Sequence, residues 1–306
     1  INRLHSSNSM FTGKEPWNFR ETICKSMESY LHLRHELLPY LYTMNVKTAE
    51  ESKPLVLPMY YYYPLDEASY QVPNQYFFGS EFFVAPITEK TDPTYQTARV
   101  DAWFPEGLWF DFFGDGIYKG NTKLPIYRGV TEMPVFVKAG GIVPLDHEPA
   151  MTGTPLPETI DWHLFPGADN RFSLVEDEND KRVVTTLHLD WANAEVSLEV
   201  SGDTNILPNG RNHRLIFHHL AQTDLLLENV DQSVSFDKSG FVATDTKKLI
   251  FDLLNTAEIS YNLKNDLWYQ LQGDKEWSQK MVLLNQLEEG LRLRLSEILY
   301  IEESLK

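Results

Sequence analysis

The chain has 306 residues, of which 42% are hydrophobic and 23% charged, and its 44 acidic and 27 basic side chains give a net charge of −17. A chain of this length exceeds what one hydrophobic core usually organises, so we expect two or three folded units. The composition excludes wholesale disorder, no apolar run has the length of a membrane helix, and the negative charge disfavours nucleic acid and membrane surfaces as partners.

The chain contains one cysteine, Cys24, so it cannot form an internal disulfide. It also contains no Asn-x-Ser/Thr acceptor for N-glycosylation. Both features favour a reducing, cytoplasmic location. Cys24 itself is interpreted as a small buried apolar residue rather than a catalytic thiol.

The first 80 residues are typical of an α/β unit. Apolar residues recur at helical spacing from Glu21 to Thr48, and Pro39 is expected to kink this helix or divide it in two. Residues 54–63 form a continuous apolar and aromatic run, which is typical of a parallel strand covered on both faces. One helix and one strand cannot form a sheet by themselves, so we expect further structure before residue 1.

From residue 82 onward the pattern changes to short strands separated by turns, which predicts small antiparallel β-sandwiches. A segment rich in proline and glycine begins at Pro149 and is typical of a linker. Residues 275–287 are predicted to form a helix. The predicted strands are 82–87, 97–104, 107–112, 117–118, 133–139, 161–165, 171–176, 183–191, 195–201, 214–218, 233–237, 248–253, 258–263 and 291–295.

Few motifs in the sequence carry chemistry. Acidic residues cluster at Asp111 and Asp115 and at residues 176–178, and two carboxylates can divide general-acid and general-base roles. These acids lie beside predicted turns, where carboxylates are commonly solvated, so solvated side chains without a catalytic role are the favoured interpretation. The histidines at 32 and 35 and at 218 and 219 are poorly placed to bind a metal, and we assign no metal ligand.

A polar loop at the start of the chain is a different kind of candidate. His5 lies beside Arg3 in a region rich in serine and asparagine, and Phe11 and Trp17 follow. A sugar ring has polar edges and apolar faces, so polar groups framed by aromatic rings suit it. The other interpretation is a loop histidine without a functional role.

Several segments carry recognisable patterns in a fixed order. They are Tyr30–Tyr42, Pro54–Tyr61, Asn74–Gly79, Phe83–Ile87, Phe104–Asp111, Met133–Leu145, Phe165–Gly167 and Leu174–Asp177. In this order they resemble the last barrel helix and strand of glycoside hydrolase family 31 and the β-domains that follow. The resemblance covers roughly residues 1–180 and depends on the order of the segments more than on any single one.

The resemblance implies a mainly β fold with an α/β remnant: the last helix and strand of a (β/α)₈ barrel, followed by two C-terminal β-sandwich domains. It implies the barrel end at 1–80, a proximal sandwich at 81–148 and a distal sandwich at 149–306. The chain is then the C-terminal region of a retaining glycoside hydrolase acting on α-glucosides. Such enzymes use two carboxyl groups about 5–5.5 Å apart. Both catalytic aspartates of the family lie in motifs that this chain lacks, so we assign no catalytic residue and expect the chain alone to be inactive.

The resemblance also implies which residues contact the sugar. Family members have an R-x-H pattern after barrel strand seven, and Arg3-Leu4-His5 matches it. By this match His5 binds sugar hydroxyls, Arg3 orders the loop, and Asn8 presents a polar side chain to the sugar. The tyrosines at 60–63 lie at the end of strand eight, where barrels display functional groups, although packing in the barrel core is the favoured interpretation.

The expected partners are an α-glucoside oligosaccharide and a cover for the apolar faces of residues 21–48 and 54–63. That cover is an upstream barrel segment or another chain, and a homo-oligomer is included among the candidates. No metal or organic cofactor is implied, because carboxylates suffice. Two alternatives stay open: an α-xylosidase or other α-glycosidase of the same family, and a non-catalytic carbohydrate-binding β-sandwich protein, against which the barrel-like segments argue.

Overall fold

The computed structural model describes residues 13–150, 152–227, 233–272 and 275–304. Its α-helices are α1 Glu21–Glu36, α2 Leu38–Glu51, α3 Thr246–Thr256, α4 Tyr261–Leu271, α5 Trp277–Leu284 and α6 Glu289–Ser304. Its strands are β1 Val56–Pro58, β2 Tyr76–Phe78, β3 Phe82–Val84, β4 Ala98–Phe104, β5 Leu108–Asp111, β6 Ile117–Lys119, β7 Thr122–Arg128, β8 Val135–Lys138, β9 Ile142–Asp146, β10 Thr159–Leu164, β11 Asn170–Glu178, β12 Lys181–Asp190, β13 Glu195–Gly202, β14 Asn212–Phe217, β15 Asp224–Leu227 and β16 Ser233–Ser235. None of the described helices is both long and apolar enough to cross a membrane.

These elements belong to two compact units, and neither unit is continuous in sequence. The first unit holds the residues up to Leu55, Gly79–Glu81 and Gly140–Phe241. The second unit holds Val56–Phe78, Phe82–Ala139 and the residues from Val242 onward. The predicted domain boundaries at residues 80 and 148 stay a prediction.

The first unit contains two four-stranded sheets, in the orders β15-β14-β10-β9 and β11-β12-β13-β16. All strand pairs are antiparallel except β10 with β14. Buried and partly exposed residues alternate along β14 and through the middle of β11, as expected for strands with one face on a core. Trp162, Phe172 and Leu187 are almost fully buried in this unit.

Two helices precede these sheets in the first unit, and they meet at Leu37, two residues before Pro39. Proline has no N–H and its ring clashes with the carbonyl four residues earlier, so it is tolerated only in the first helical turn. Pro39 occupies that position in α2. The predicted division of the helix at this proline is confirmed.

The second helix packs on the sheet through a few side chains. The Tyr40 ring stacks on Phe172 with ring centroids 5.8 Å apart, and Thr43 Oγ1 accepts a 3.0 Å hydrogen bond from the Val175 N–H. Gly79 adopts φ +68°, and its missing side chain leaves room for the Tyr40 hydroxyl. A non-glycine residue at this position would therefore be both strained and crowded.

The second unit contains a six-stranded sheet, β1-β2-β3-β8-β5-β6, and a β4-β7 ribbon. All of their strand pairs are antiparallel. Aromatic rings dominate the core: Phe83 lies 4.8 Å from Trp109 and 4.9 Å from Phe136, centroid to centroid. Offset or edge-on aromatic pairs of this kind contribute beyond the area that they bury.

Helices α3–α6 complete the second unit, and here three strand predictions are wrong. Residues 248–253, 258–263 and 291–295 were expected as strands, but they lie in or at the start of α3, α4 and α6. Leu291, Leu295 and Ile298 are buried, at a spacing of four and three that is helical. The region predicted as the distal sandwich therefore ends in four helices. The predicted helix at 275–287 is confirmed as α5.

The strand predicted at 54–63 is also corrected. Only Val56–Pro58 is a strand, and a single 3₁₀ turn follows at Met59–Tyr61. The strand pairs antiparallel with β2 rather than parallel. The remaining strand predictions between 82 and 237 coincide with observed strands, whereas β2, β7, β9 and β15 were missed. The described chain is mainly β with antiparallel sheets, as the fold class predicted.

Candidate functional site

The three predicted sugar contacts, Arg3, His5 and Asn8, lie outside the described residues, so their roles stay predictions. The described residues begin at Gly13, and Glu15, Pro16 and Trp17 follow shortly after. Residues Pro16–Asn18 form a 3₁₀ turn, and the Asn18 side chain donates a 2.7 Å hydrogen bond to Glu15 Oε2. Trp17 is 75% exposed, so its ring is open to a partner.

Three of the clustered acids, Asp111, Glu176 and Asp177, pair with arginines. Asp111 and Glu176 are buried, so the expectation that these acids are solvated is wrong for these two. Asp111 accepts hydrogen bonds from two backbone N–H groups of its own turn and an Arg128 contact of 2.5 Å. Glu176 pairs with Arg211 at 2.5 Å, and both side chains are buried. A carboxylate that neutralises a fixed arginine is poorly suited to shuttle a proton, because protonation would leave that arginine unpaired.

Asp177, at the surface of the first unit, is likewise paired with an arginine. Arg182 Nε donates to Asp177 Oδ1 at 2.7 Å, and the Tyr42 hydroxyl donates to Asp177 Oδ2 at 2.9 Å. The arginine contact is the main reason that the pKa of Asp177 is lowered. This carboxyl therefore stays ionised and cannot serve as a general acid near neutral pH.

The Arg128 contact belongs to a buried ionic network of the second unit. Arg128 also contacts Glu297 of α6 at 2.8 Å, and the Tyr118 hydroxyl and Tyr127 N–H each donate to Glu297 at 2.9 Å. Burial raises the pKa of Glu297, and the Arg128 charge opposes that effect. Arg128, Asp111 and Glu297 each have a charged or hydrogen-bonding partner. The network therefore holds α6 to the strands rather than forming a reactive site.

Three histidines of the first unit are uncharged near neutral pH. Trp162 Nε1 donates a 3.1 Å hydrogen bond to His213 Nδ1, and burial lowers the pKa of His213 to about 4. His163 Nδ1 and His218 Nε2 lie 2.9 Å apart, and burial lowers their pKa values to about 4 and about 3. Across the described ranges, no group of three or more His, Cys, Asp or Glu side chains is arranged to hold a metal ion.

The segment after β1 carries a group of exposed rings, which we call the tyrosine cluster: Tyr60, Tyr61, Tyr62 and Tyr70. Each has between 46% and 54% of its surface exposed. Tyr60, Tyr61 and Tyr62 are thus half-exposed in this chain, and their packing in a barrel core, the favoured interpretation, stays a prediction. Only Tyr63 packs inward, edge-on to Trp103 at 5.3 Å.

The tyrosine cluster has a defined geometry. Tyr60 and Tyr70 stack almost parallel, with centroids 5.1 Å apart and an interplanar angle of 4°. The Tyr70 hydroxyl donates to the Pro64 carbonyl at 3.0 Å. Tyr62 meets the buried Phe77 edge-on at 5.1 Å, and Tyr61 meets Tyr62 edge-on at 5.3 Å. The sequence signal for this exposure was the pair of prolines 58 and 64, which prevent the whole run from being a regular inner strand.

Two family models match the chain. The Glycosyl hydrolases family 31 TIM-barrel domain matches residues 1–44, and the Glycosyl hydrolase family 31 C-terminal domain matches residues 52–143. Together they define a chain that contains the end of a TIM-barrel domain and then a C-terminal domain. The chain belongs to glycosyl hydrolase family 31, of which it contains the C-terminal portion.

Curated relatives and solved structures agree with this assignment. Alpha-glucosidase 2 of Bacillus thermoamyloliquefaciens is 24% identical over 74% of this chain and 29% of its own length. Neutral alpha-glucosidase C of Mus musculus is 33% identical over 43% of this chain and 14% of its own length. The chain thus spans less than a third of these relatives.

Among solved structures, a family 31 dextranase of Flavobacterium johnsoniae in complex with glucose aligns with a TM-score of 0.59 and 26% identity. The alignment covers 67% of this chain and 26% of the dextranase. A family 31 α-xylosidase from Xanthomonas citri aligns with a TM-score of 0.63 and 24% identity, over 74% of this chain and 27% of that one. This second likeness shows the fold.

Proposed function

We propose that this chain is the C-terminal region of a retaining glycoside hydrolase that acts on α-glucosides. The observation that carries the proposal is the order of the two family matches, a barrel end followed by a C-terminal domain. The names of the relatives, which are α-glucosidases, support the substrate class. In this proposal the nucleophile and the acid/base aspartate lie upstream of residue 1, and the 306 residues alone do not hydrolyse glycosides.

The partly exposed apolar side chains of α1 indicate that a segment or chain beyond the described residues packs against this helix. Ile23, Met27, Tyr30 and Leu31 recur at helical spacing, yet α1 has no buried residue. A helix with one apolar stripe gains its stability by burying that stripe against another element. We propose that the upstream barrel segment covers it, with a second copy of the chain as the other candidate.

In the proposed enzyme His5 hydrogen-bonds to a sugar hydroxyl, Arg3 orders the loop, and Asn8 presents its amide to the same sugar. A site built around a hydrogen bond to a hydroxyl rejects analogues that lack it, because the buried partner is then left unpaired. The proposed location is the cytoplasm. The support is that the single cysteine, Cys24, is a free and only half-buried thiol, which suits a reducing compartment. Fractionation of the native protein into the periplasmic or secreted fraction would refute this location.

The test compares two proteins: the 306-residue chain and the longer product that includes the coding sequence before residue 1. The longer protein is expected to hydrolyse an aryl α-glucoside faster than the matching α-xyloside, and the chain alone neither. His5→Ala in the longer protein should lower kcat/KM at least ~100-fold, since it removes a contact strengthened in the transition state. The matched control is His35→Ala, at an exposed position of α1, which should leave the rate unchanged. Hydrolysis by the chain alone, or an unaltered His5 variant, contradicts the proposal.

A further inference from the structure

We propose that Asn209 and Gly210 form a site of spontaneous covalent modification, at which the asparagine cyclises, loses ammonia and is converted mainly to isoaspartate. Asparagine followed by glycine occurs once in the chain, at these two positions. Both residues are exposed, in a turn between a short 3₁₀ helix at Thr204–Ile206 and β14. The inference concerns the lifetime of the first unit and does not depend on the proposed glycosidase activity.

The reacting atoms of this turn are accessible. The nucleophile is the backbone nitrogen of Gly210, whereas the hydrogen bond that closes the turn uses the Arg211 N–H, which donates to the Pro208 carbonyl at 3.2 Å. The Gly210 N–H donates to no group of the described residues. A side chain built at Gly210 would meet no atom within 4 Å, so nothing crowds the approach of the Asn209 carboxamide. An exposed turn closed by one hydrogen bond also opens readily, which lets the side chain reach the nitrogen.

The reaction needs only the turn and water. The Gly210 nitrogen gives its proton to solvent base and attacks Asn209 Cγ, so that a new C–N bond forms. The bond from Cγ to Nδ2 then breaks, and Nδ2 leaves as ammonia after taking up a proton. Water opens the resulting five-membered imide at one of its two carbonyls. Opening at the backbone carbonyl gives isoaspartate, whose main chain runs through Cβ and Cγ, and opening at the other carbonyl gives aspartate.

Other asparagines in turns and bends are better protected. The Asn193 carboxamide donates a 2.8 Å hydrogen bond to Asp190, and the next residue, Ala194, carries a β-carbon. Asn121 is followed by Thr122, a β-branched residue that begins β7. A side chain on the following residue obstructs attack by its own backbone nitrogen, and glycine has none. We therefore expect the modification to be confined to the single asparagine–glycine pair.

Isoaspartate at this position loosens a buried anchor of the first unit. Arg211 directly follows the turn, and its guanidinium pairs with the buried Glu176 at 2.5 Å and donates to the Pro157 carbonyl at 2.8 Å. One extra methylene in the main chain changes the span of the turn, so the N–H of Arg211 cannot keep its hydrogen bond with unaltered geometry. Displacing an arginine from a buried carboxylate is strongly destabilising. Aspartate leaves the main chain unchanged and lacks this effect.

The test incubates the folded 306-residue chain at mildly alkaline pH for several weeks and follows the masses of its peptides. The peptide that holds Asn209 should gain about 1 Da, with isoaspartate as the main product, and the peptides that hold Asn193 and Asn121 should not. Asn209→Gln should abolish the gain, because the longer side chain would have to close a six-membered ring. Asn193→Gln is the matched control and should leave the modification of Asn209 unchanged.

Melting temperatures test the structural consequence. The isoaspartate form, separated by chromatography, should melt more than about 4 °C below the unmodified chain. Asn209→Asp, a surface substitution, should melt within about 2 °C of it. An Asn209 that stays unmodified, a mass gain spread evenly over the asparagines, or an isoaspartate form that melts together with the unmodified chain overturns the inference.

Discussion

Acid should destabilise the first unit, and His213 allows the effect to be calculated. This side chain is fully buried, and it accepts a hydrogen bond from Trp162 through Nδ1. Its Nε2 has no hydrogen-bond partner among the described residues. Burial lowers its pKa from 6.5 to about 4, so between these values the unfolded chain binds a proton that the folded unit does not.

The sign and size of the effect follow from this difference. A histidine with a lowered pKa contributes its full stability above the unfolded pKa, and the contribution is lost as the pH falls toward the folded one. From pH 7 to pH 5 the loss for one such group is about 2 kcal/mol. His163 and His218 act in the same direction, so the wild-type loss should exceed this value.

The assay is urea denaturation followed by tryptophan fluorescence at pH 7 and pH 5. His213→Gln retains a hydrogen-bond acceptor for Trp162 but cannot titrate, so its free energy of unfolding should fall by about 2 kcal/mol less than that of the wild type over the same pH change. His35→Gln, on the exposed surface of α1, is the control and should follow the wild type. Equal acid losses in the wild type and His213→Gln would refute the reasoning.

Two further changes test the packing of each unit. Arg128→Met leaves Glu297 buried without its cation and should cost about 3–5 kcal/mol of stability, whereas the double change with Glu297→Gln should recover part of that loss. Calorimetric melting of the wild type, the two single variants and the double variant checks this, and additive changes in stability would contradict the ion pair. Gly79→Ala should destabilise the first unit by more than Gly210→Ala, because both glycines have φ near +70° but only a side chain at position 79 meets Tyr40. Equal midpoints of denaturation for these two variants would show that the Tyr40 contact contributes nothing.

Much of the local architecture could be predicted because it depends on short patterns. Alternation of apolar residues located β11 to β14, and the helix over 21–48 divides at Pro39 for a reason contained in the proline ring itself. Ordered segments between Tyr30 and Asp177 sufficed to predict the family. The strand and helix signals involve neighbours within a few residues, and the family signal is the order of segments along the chain, so all of them can be read without the tertiary structure.

The tertiary structure decided what depends on partners distant in sequence. Residues 291–295 alternate like a strand, but the burial of Leu295 with Ile298 and Leu299 selects a helix, and five residues are too few to distinguish the two periods. The partner of Glu297 is Arg128, 169 positions away, so its structural role was invisible locally. Likewise the sequence determined that Tyr60 is aromatic and follows a strand, while only packing determined that its ring stays exposed, because exposure depends on which surfaces fold against it.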